Sequence, residues 1–276
     1  MALRLMYITN SPSVARIAES AGVDRIFVDM EFIGKSDRQR GMDTVQSMHT
    51  VQDVANIRAT VTMAQLLVRI NPIHDATAEF SSTEEEIDAV IAAGADFVML
   101  PYFKTANEVE RFIKAVNGRS KTMLLVETIE AVENIDEILS IRGIDEVFIG
   151  LNDLSLGYGK KFMFELLADG TVEKLCKKFK DMGYAFGFGG IASLGKGLLP
   201  SEYVIREHYR IGSTSAILSR SFCDLNTKKD LKEVESVFKK GVKEIRDFEN
   251  LCLEEIHSFS HRKQMLDIIS KIVKGI

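Results

Sequence analysis

Eight short apolar runs, separated by longer amphipathic stretches, recur along the chain from end to end. They are LRLMYI at 3–8, RIFVDM at 25–30, LLVRI at 66–70, DFVML at 96–100, TMLLVE at 122–127, EVFIG at 146–150, YAFGFGG at 184–190 and SAILS at 215–219. Most are continuously apolar and do not alternate, the pattern of parallel strands covered on both faces. The stretches between them carry helix boundaries. Ser11–Gly22 opens on Ser-Pro and closes at Ala21-Gly22, and Ser82-Thr83-Glu84-Glu85-Glu86 begins a helix that stops at Ala93-Gly94. Thr105–Asn117 and Thr128–Ser140 follow the same logic. Parallel strands joined by helices require right-handed crossovers. Eight such units predict an α/β chain folded as a closed (β/α)8 TIM barrel, and no GxGxxG follows the first strand to favour an open dinucleotide-binding sheet.

The 276 residues suit one barrel domain spanning 1–276. Within it, 227–276 supply the last barrel helix plus an additional C-terminal helix near His257–Lys274. The apolar positions Met265, Leu266, Ile268, Ile269, Ile272 and Val273 of that helix need a partner surface, on its own barrel or on a neighbouring subunit. A net charge of −5 argues against nucleic acid or an anionic membrane as partner. Cys176, Cys223 and Cys252 are an odd set without CxxC spacing, so a disulfide framework or zinc site is not expected and a reducing cytoplasm is. The N-terminus lacks the basic and apolar regions of a signal peptide, and no apolar run approaches the ~18 residues of a membrane span.

Barrel active sites lie where strands end and the following loops begin. Four such places carry polar residues with no packing reason to be there. TMLLVE ends in Glu127, and EVFIG is followed by Leu151-Asn152-Asp153. Neighbouring strands are about 4.8 Å apart, so these carboxylates can converge on one point, where like charges repel unless a cation lies between them. Oxygen ligands without nearby His or Cys suit Mg²⁺ or Mn²⁺; the alternative is that each carboxylate caps the helix that follows. Arg69 stands near the end of the third strand. Its charge needs an anionic partner, either the carboxylate of a substrate or Asp29 or Glu31 on the second strand. Those two residues share one side of VDMEF by the period-two rule. They can orient Arg69, bind metal waters, act as a base or serve purely as ion-pair partners.

Together these segments resemble the HpcH/HpaI aldolase and citrate lyase β-subunit family of the phosphoenolpyruvate/pyruvate barrels. The resemblance covers most of residues 20–160, through Gly22-Val23-Asp24, VDMEF, LVRINP, GADFVMLP, LLVETIEAVENIDEIL and VFIGLNDLSLGYG, and continues more weakly through GFGGIA. It implies that Glu127 and Asp153 bind a divalent metal (Mg²⁺, or Mn²⁺ or Co²⁺) and that Arg69 holds the carboxylate and carbonyl end of a 2-oxo acid. It also implies that the turn containing Gly150, Asn152 and Asp153 receives that carboxylate. The implied reaction is carbon–carbon cleavage through an enolate, in a homo-oligomer that exchanges its C-terminal helix. The chain departs from the family at Phe32, where the pyruvate aldolases carry a histidine base and the citrate-lyase-like branch an aspartate.

The stretch from Gly34 to Thr50 is the most individual part of the sequence. His49 is the candidate replacement base. Lys35, Arg38 and Arg40 are three cations within six residues, either solvated or placed to take a phosphate or second carboxylate. Three functions follow. The first is a metal-dependent lyase acting on a 2-oxo acid. The second is a citrate-lyase-like or phosphoenolpyruvate-using enzyme on the same metal site. The third is a ligand-binding barrel without catalysis, which the missing histidine favours.

Overall fold

The computed structural model describes residues 2–35, 47–225, 227–228, 230–254 and 259–275. Its eight strands close into a barrel in chain order, every neighbouring pair parallel. They are β1 (Arg4–Ile8), β2 (Arg25–Asp29), β3 (Gln65–Arg69), β4 (Phe97–Leu100), β5 (Lys121–Val126), β6 (Glu146–Ile149), β7 (Ala185–Ile191) and β8 (Ser215–Leu218). The helices are α1 (Pro12–Ser20), α2 (Val51–Arg58), α3 (Thr83–Ala92), α4 (Ala106–Val116), α5 (Ile129–Glu133), α6 (Ile135–Leu139), α7 (Leu151–Gly157), α8 (Glu165–Ala168), α9 (Thr171–Asp181), α10 (Ser201–Ile211), α11 (Leu231–Glu254) and α12 (Phe259–Lys274).

Local chemistry sets the helix starts. Ser11 caps α1 by accepting from Val14 N, and Ser82 with Glu85 and Thr105 with Glu108 form reciprocal capping boxes on α3 and α4. The helix expected over Thr128–Ser140 is instead two short ones. At Asn134 the backbone leaves helical geometry (ψ 10°) and the side-chain amide donates to Lys104 O at 3.1 Å.

Two apolar layers sandwich the strands. Met6, Phe27, Leu67, Phe97, Met99, Met123, Leu125 and Phe148 fill the barrel, while a larger cluster lies between strands and helices. At the amino end of the strands Arg25 is wholly buried. It donates to both oxygens of Glu146 at 2.7 and 2.8 Å, with its guanidinium carbon 4.0 Å from the centroid of the Phe97 ring. Arg4 Nη1 joins the same carboxylate at 2.9 Å, so that end is closed by an ion-pair cluster. Between β7 and β8 the register shifts at Gly187–Gly190. A Cβ on Gly187 would stand 2.4 Å from Ser215 O, so only glycine allows the two strands to approach.

The extra helix is present and rests on its own chain. Met265 and Ile269 of α12 are buried, and the helix packs on α10 and α8. Arg262 pairs with Glu173 of α9 at 2.9 Å, and Tyr203 Oη donates to Gln264 Oε1 at 3.3 Å. His257, at the expected start of this helix, lies outside the described residues. All three cysteines are buried and outside disulfides, and among the described residues no helix is long and apolar enough to cross a membrane.

His208 is buried on α10. Its ring stacks 3.8 Å from that of Phe188 and its Nδ1 lies 2.8 Å from Ser213 Oγ. Burial pushes its pKa down to about 3 from an ordinary 6.5, so the fold favours the neutral ring. Its contribution to stability is complete above pH 6.5 and is lost as the pH falls toward 3. We expect His208→Phe to flatten the acid limb of a plot of Tm against pH. An unchanged limb would show that this ring does not set acid sensitivity.

Candidate active site

The carboxyl end of the barrel collects the charge that the other end has neutralised. In the β2–β3 register Asp29 stands opposite Arg69, each the last residue of its strand. Arg69 Nε donates to Asp29 Oδ1 at 2.8 Å and Nη2 to Oδ2 at 2.7 Å, a bidentate pair. The third guanidinium nitrogen, Nη1, is 3.3 Å from Glu31 Oε2. Lys35 completes the group, its Nζ 3.2 Å from both Asp29 Oδ2 and Glu31 Oε2. Burial alone would raise the pKa of Asp29, but the Arg69 guanidinium and the Lys35 ammonium outweigh it and hold the group well below the usual carboxylate range.

Glu127 follows β5 directly, and Asp153 lies in the first turn of α7 after β6. Both are buried. Burial, then the negative charge of Glu31, pushes the Glu127 pKa up to about 8, with Asp153 adding to the rise and Arg69 opposing it. Glu127 Oε1 accepts from Tyr102 N at 3.0 Å. Tyr102 has a φ of 48°, a left-handed conformation that a non-glycine residue adopts at some cost and that aims its amide at the carboxylate. A Cβ on Gly150 would lie 2.6 Å from Glu127 Oε2, so glycine there keeps space beside that oxygen.

Four buried carboxylates, Asp29, Glu31, Glu127 and Asp153, gather at this end with Arg69 and Lys35 beside the first two. A divalent ion at Glu127 and Asp153 would favour the ionised form of both. Among the described residues no group of three or more His, Cys, Asp and Glu side chains is arranged to hold a metal. Two carboxylates, with water and substrate oxygens completing the shell, nevertheless suit Mg²⁺, which keeps most of its ligands outside the protein. The donor set fits the ion.

The remaining sequence candidates separate. Lys35, read as either solvated or placed to take a phosphate or second carboxylate, is drawn inward and buried. Arg38 and Arg40 lie outside the described residues. His49 precedes α2 half-buried, and Asp29 N donates to its Nδ1 at 3.0 Å. In the neutral ring, which burial favours, that bond leaves Nε2 carrying the proton. While the bond stands, His49 has no lone pair with which to take a proton. Phe32 is 43% exposed and its ring rests 5.3 Å from that of Phe80.

Three contributors were not legible. Asn71 Oδ1 accepts from Phe32 N and Ile33 N, both at 3.0 Å, and Asn71 Nδ2 donates to the buried Glu86 of α3 at 2.9 Å. The only signal for this pair was a glutamate on the apolar face of α3, beside Ile87 and Val90. For Tyr102 there was none.

A model of the HpcH/HpaI aldolase/citrate lyase family matches residues 4–166. A 2-keto-3-deoxy-L-rhamnonate aldolase of Shigella dysenteriae is 26% identical over 212 residues, covering 65% of this chain and 71% of that protein. A hydroxypyruvate/pyruvate aldolase of Rhizorhabdus wittichii is 60% identical over 37 residues, 13% of this chain and 15% of its own length. Among solved structures, an HpcH/HpaI aldolase from Desulfitobacterium hafniense superposes with a TM-score of 0.58 at 18% identity, covering 89% of this chain and 93% of its own. The barrel, the strand-end carboxylates and the family match over more than half of the residues agree: the chain belongs to the HpcH/HpaI aldolase/citrate lyase family.

Proposed function

We propose that the protein is a divalent-metal-dependent carbon–carbon lyase acting on a 2-oxo acid, with Mg²⁺, Mn²⁺ or Co²⁺ held by Glu127 and Asp153. The observation that carries this reading is the cluster of buried carboxylates at the ends of β2, β5 and β6, where Glu31 and Asp153 both act on Glu127. Family membership and the aldolase names of the relatives support the reaction class. When bound, the ion supplies a Lewis-acid contact that stabilises the negative charge developing on the 2-oxo oxygen as an enolate forms.

The chain's own residues do the binding and orienting. Arg69, held rigidly by Asp29, presents its remaining edge to the carboxylate and carbonyl of the substrate. Gly150 caps α7 and its N–H donates to Val126 O at 3.0 Å, so the carboxylate is taken to approach the first turn that follows, at Asn152 and Asp153. Asp29 acts as orienter, since both of its oxygens are engaged by Arg69. We assign His49 the same kind of task, because its ring holds the Asp29 amide. The citrate-lyase-like alternative placed a phosphate beside Lys35 or Arg38; the charge of Lys35 is set against Asp29 and Glu31, and Arg38 lies outside the described residues. We further take the enzyme to be a cytoplasmic homo-oligomer. Cysteines outside disulfides suit a reducing compartment, and Leu266, Ile268, Ile272 and Val273 leave an apolar strip of α12 only partly covered.

The test is exchange of pyruvate methyl protons in deuterium oxide, followed by proton NMR alongside aldol cleavage, with chelated protein and with each metal restored. Exchange is expected only with metal present. Glu127→Gln and Asp153→Asn should each lower it by about a hundredfold or more while circular dichroism and Tm report an intact barrel. Metal-independent turnover in either variant would overturn the proposal. For His49, a positioning role predicts that His49→Asn, whose amide oxygen can accept the Asp29 N–H, keeps most of the activity while His49→Ala loses it. Equal loss in both variants would restore His49 as a candidate base.

A further inference from the structure

Lys35 is a buried lysine that the proposed reaction has not yet used. The local chain is built to bring it inward. Phe32 N and Ile33 N are pinned to Asn71 Oδ1, Gly34 adopts a φ of 70°, and Lys35 N donates to Phe32 O at 3.2 Å. This tight turn folds the lysine back toward the carboxylates that precede it. Only glycine takes that φ without strain, so the Gly34-Lys35 pair is one device. The ammonium then lies 3.2 Å from an oxygen of Asp29 and 3.2 Å from an oxygen of Glu31, with 4% of the residue exposed.

Both carboxylates are also the partners of Arg69. Two guanidinium nitrogens are committed to Asp29 at 2.7 and 2.8 Å, whereas Nη1 stays 3.3 Å from Glu31 Oε2. Glu31 is therefore shared between two cations at nearly equal distance. Removing one of them leaves a fully buried carboxylate to draw on the other, because an uncompensated buried charge is costly.

We infer that Lys35 is a positioning residue for Arg69: its ammonium offsets the charge of Glu31 and so keeps Nη1 available to the carboxylate of the 2-oxo acid. The lysine thus acts on substrate affinity through Arg69 and touches no reacting atom. This inference rests on the proposed 2-oxo acid site.

The experiment measures pyruvate affinity by calorimetry on the Mg²⁺-loaded protein, with kcat and KM for aldol cleavage in parallel. The proteins compared are wild type, Lys35→Met, Lys35→Arg, Glu31→Gln and the Glu31→Gln/Lys35→Met double variant. Lys35→Met should weaken pyruvate binding and raise KM by about tenfold, the scale of one charge-assisted hydrogen bond, with kcat changed by less than about threefold. Lys35→Arg should recover most of the affinity. With Glu31 uncharged there is nothing to draw Arg69 away, so in the Glu31→Gln background the Lys35→Met effect should shrink to less than about twofold. A lower Tm for Lys35→Met with unchanged affinity would mean that the lysine only neutralises buried charge, and would overturn the inference. A collapse of kcat at constant KM, restored by added methylamine, would make Lys35 a proton-transfer group and overturn it equally. Absence of pyruvate binding by the wild type with any metal removes the site reading and this inference together. Insensitivity confined to the variants removes this inference alone.

Discussion

In the closed ladder Asp29 stands opposite Arg69, and the two-point ion pair between them organises the whole carboxyl end of the barrel. The pair joins the ends of β2 and β3, fixes the plane of the guanidinium, and leaves a single edge of it for anything else. Glu31 and Lys35 gather round that edge, His49 holds the Asp29 amide, and Asn71 pins the turn on which Lys35 arrives. Each contact presupposes the register. A slip of one residue would move Asp29 and Arg69 to opposite faces of the sheet and dissolve the group.

The two ends of the barrel solve the same electrostatic problem in different ways. At the amino end the buried Arg25 and Glu146 face each other across the interior, Arg4 joins Glu146 at 2.9 Å, and Gln65 accepts from the remaining Arg25 Nε at 2.8 Å. At the carboxyl end buried carboxylates crowd together, and burial with the charge of Glu31 pushes the Glu127 carboxyl up to about 8. Buried acids of this kind are poor stabilisers, which is why the proposed function looks to them for binding.

Much of this was legible in the chain itself. Continuous apolar runs, capped helices and their eightfold alternation suffice for a closed parallel barrel, because parallel strands buried on both faces permit little else. Glu127, Asp153, Arg69, Asp29 and Glu31 stood out for a related reason: each is a charged residue at the end of an apolar run, where packing does not call for it. The break at Asn134 was not legible, since the periodicity runs straight through it and the competing contact is a distant carbonyl at Lys104. Nor were Asn71, Glu86 and Tyr102, which act through backbone groups that sequence does not pair.

The sequence by itself therefore determined the strand order, the end of the barrel at which chemistry sits, and the residue types that sit there. Tertiary structure alone decided which cations meet which carboxylates. Lys35 and His49 read alike as polar members of one loop, yet the Gly34 turn buries the first between Asp29 and Glu31 while the second spends its accepting nitrogen on the Asp29 amide. Periodicity encodes which face a residue takes within its own element. It carries no record of the distances between groups on different elements, and those distances, through Coulomb energy and desolvation, settle what each charge does.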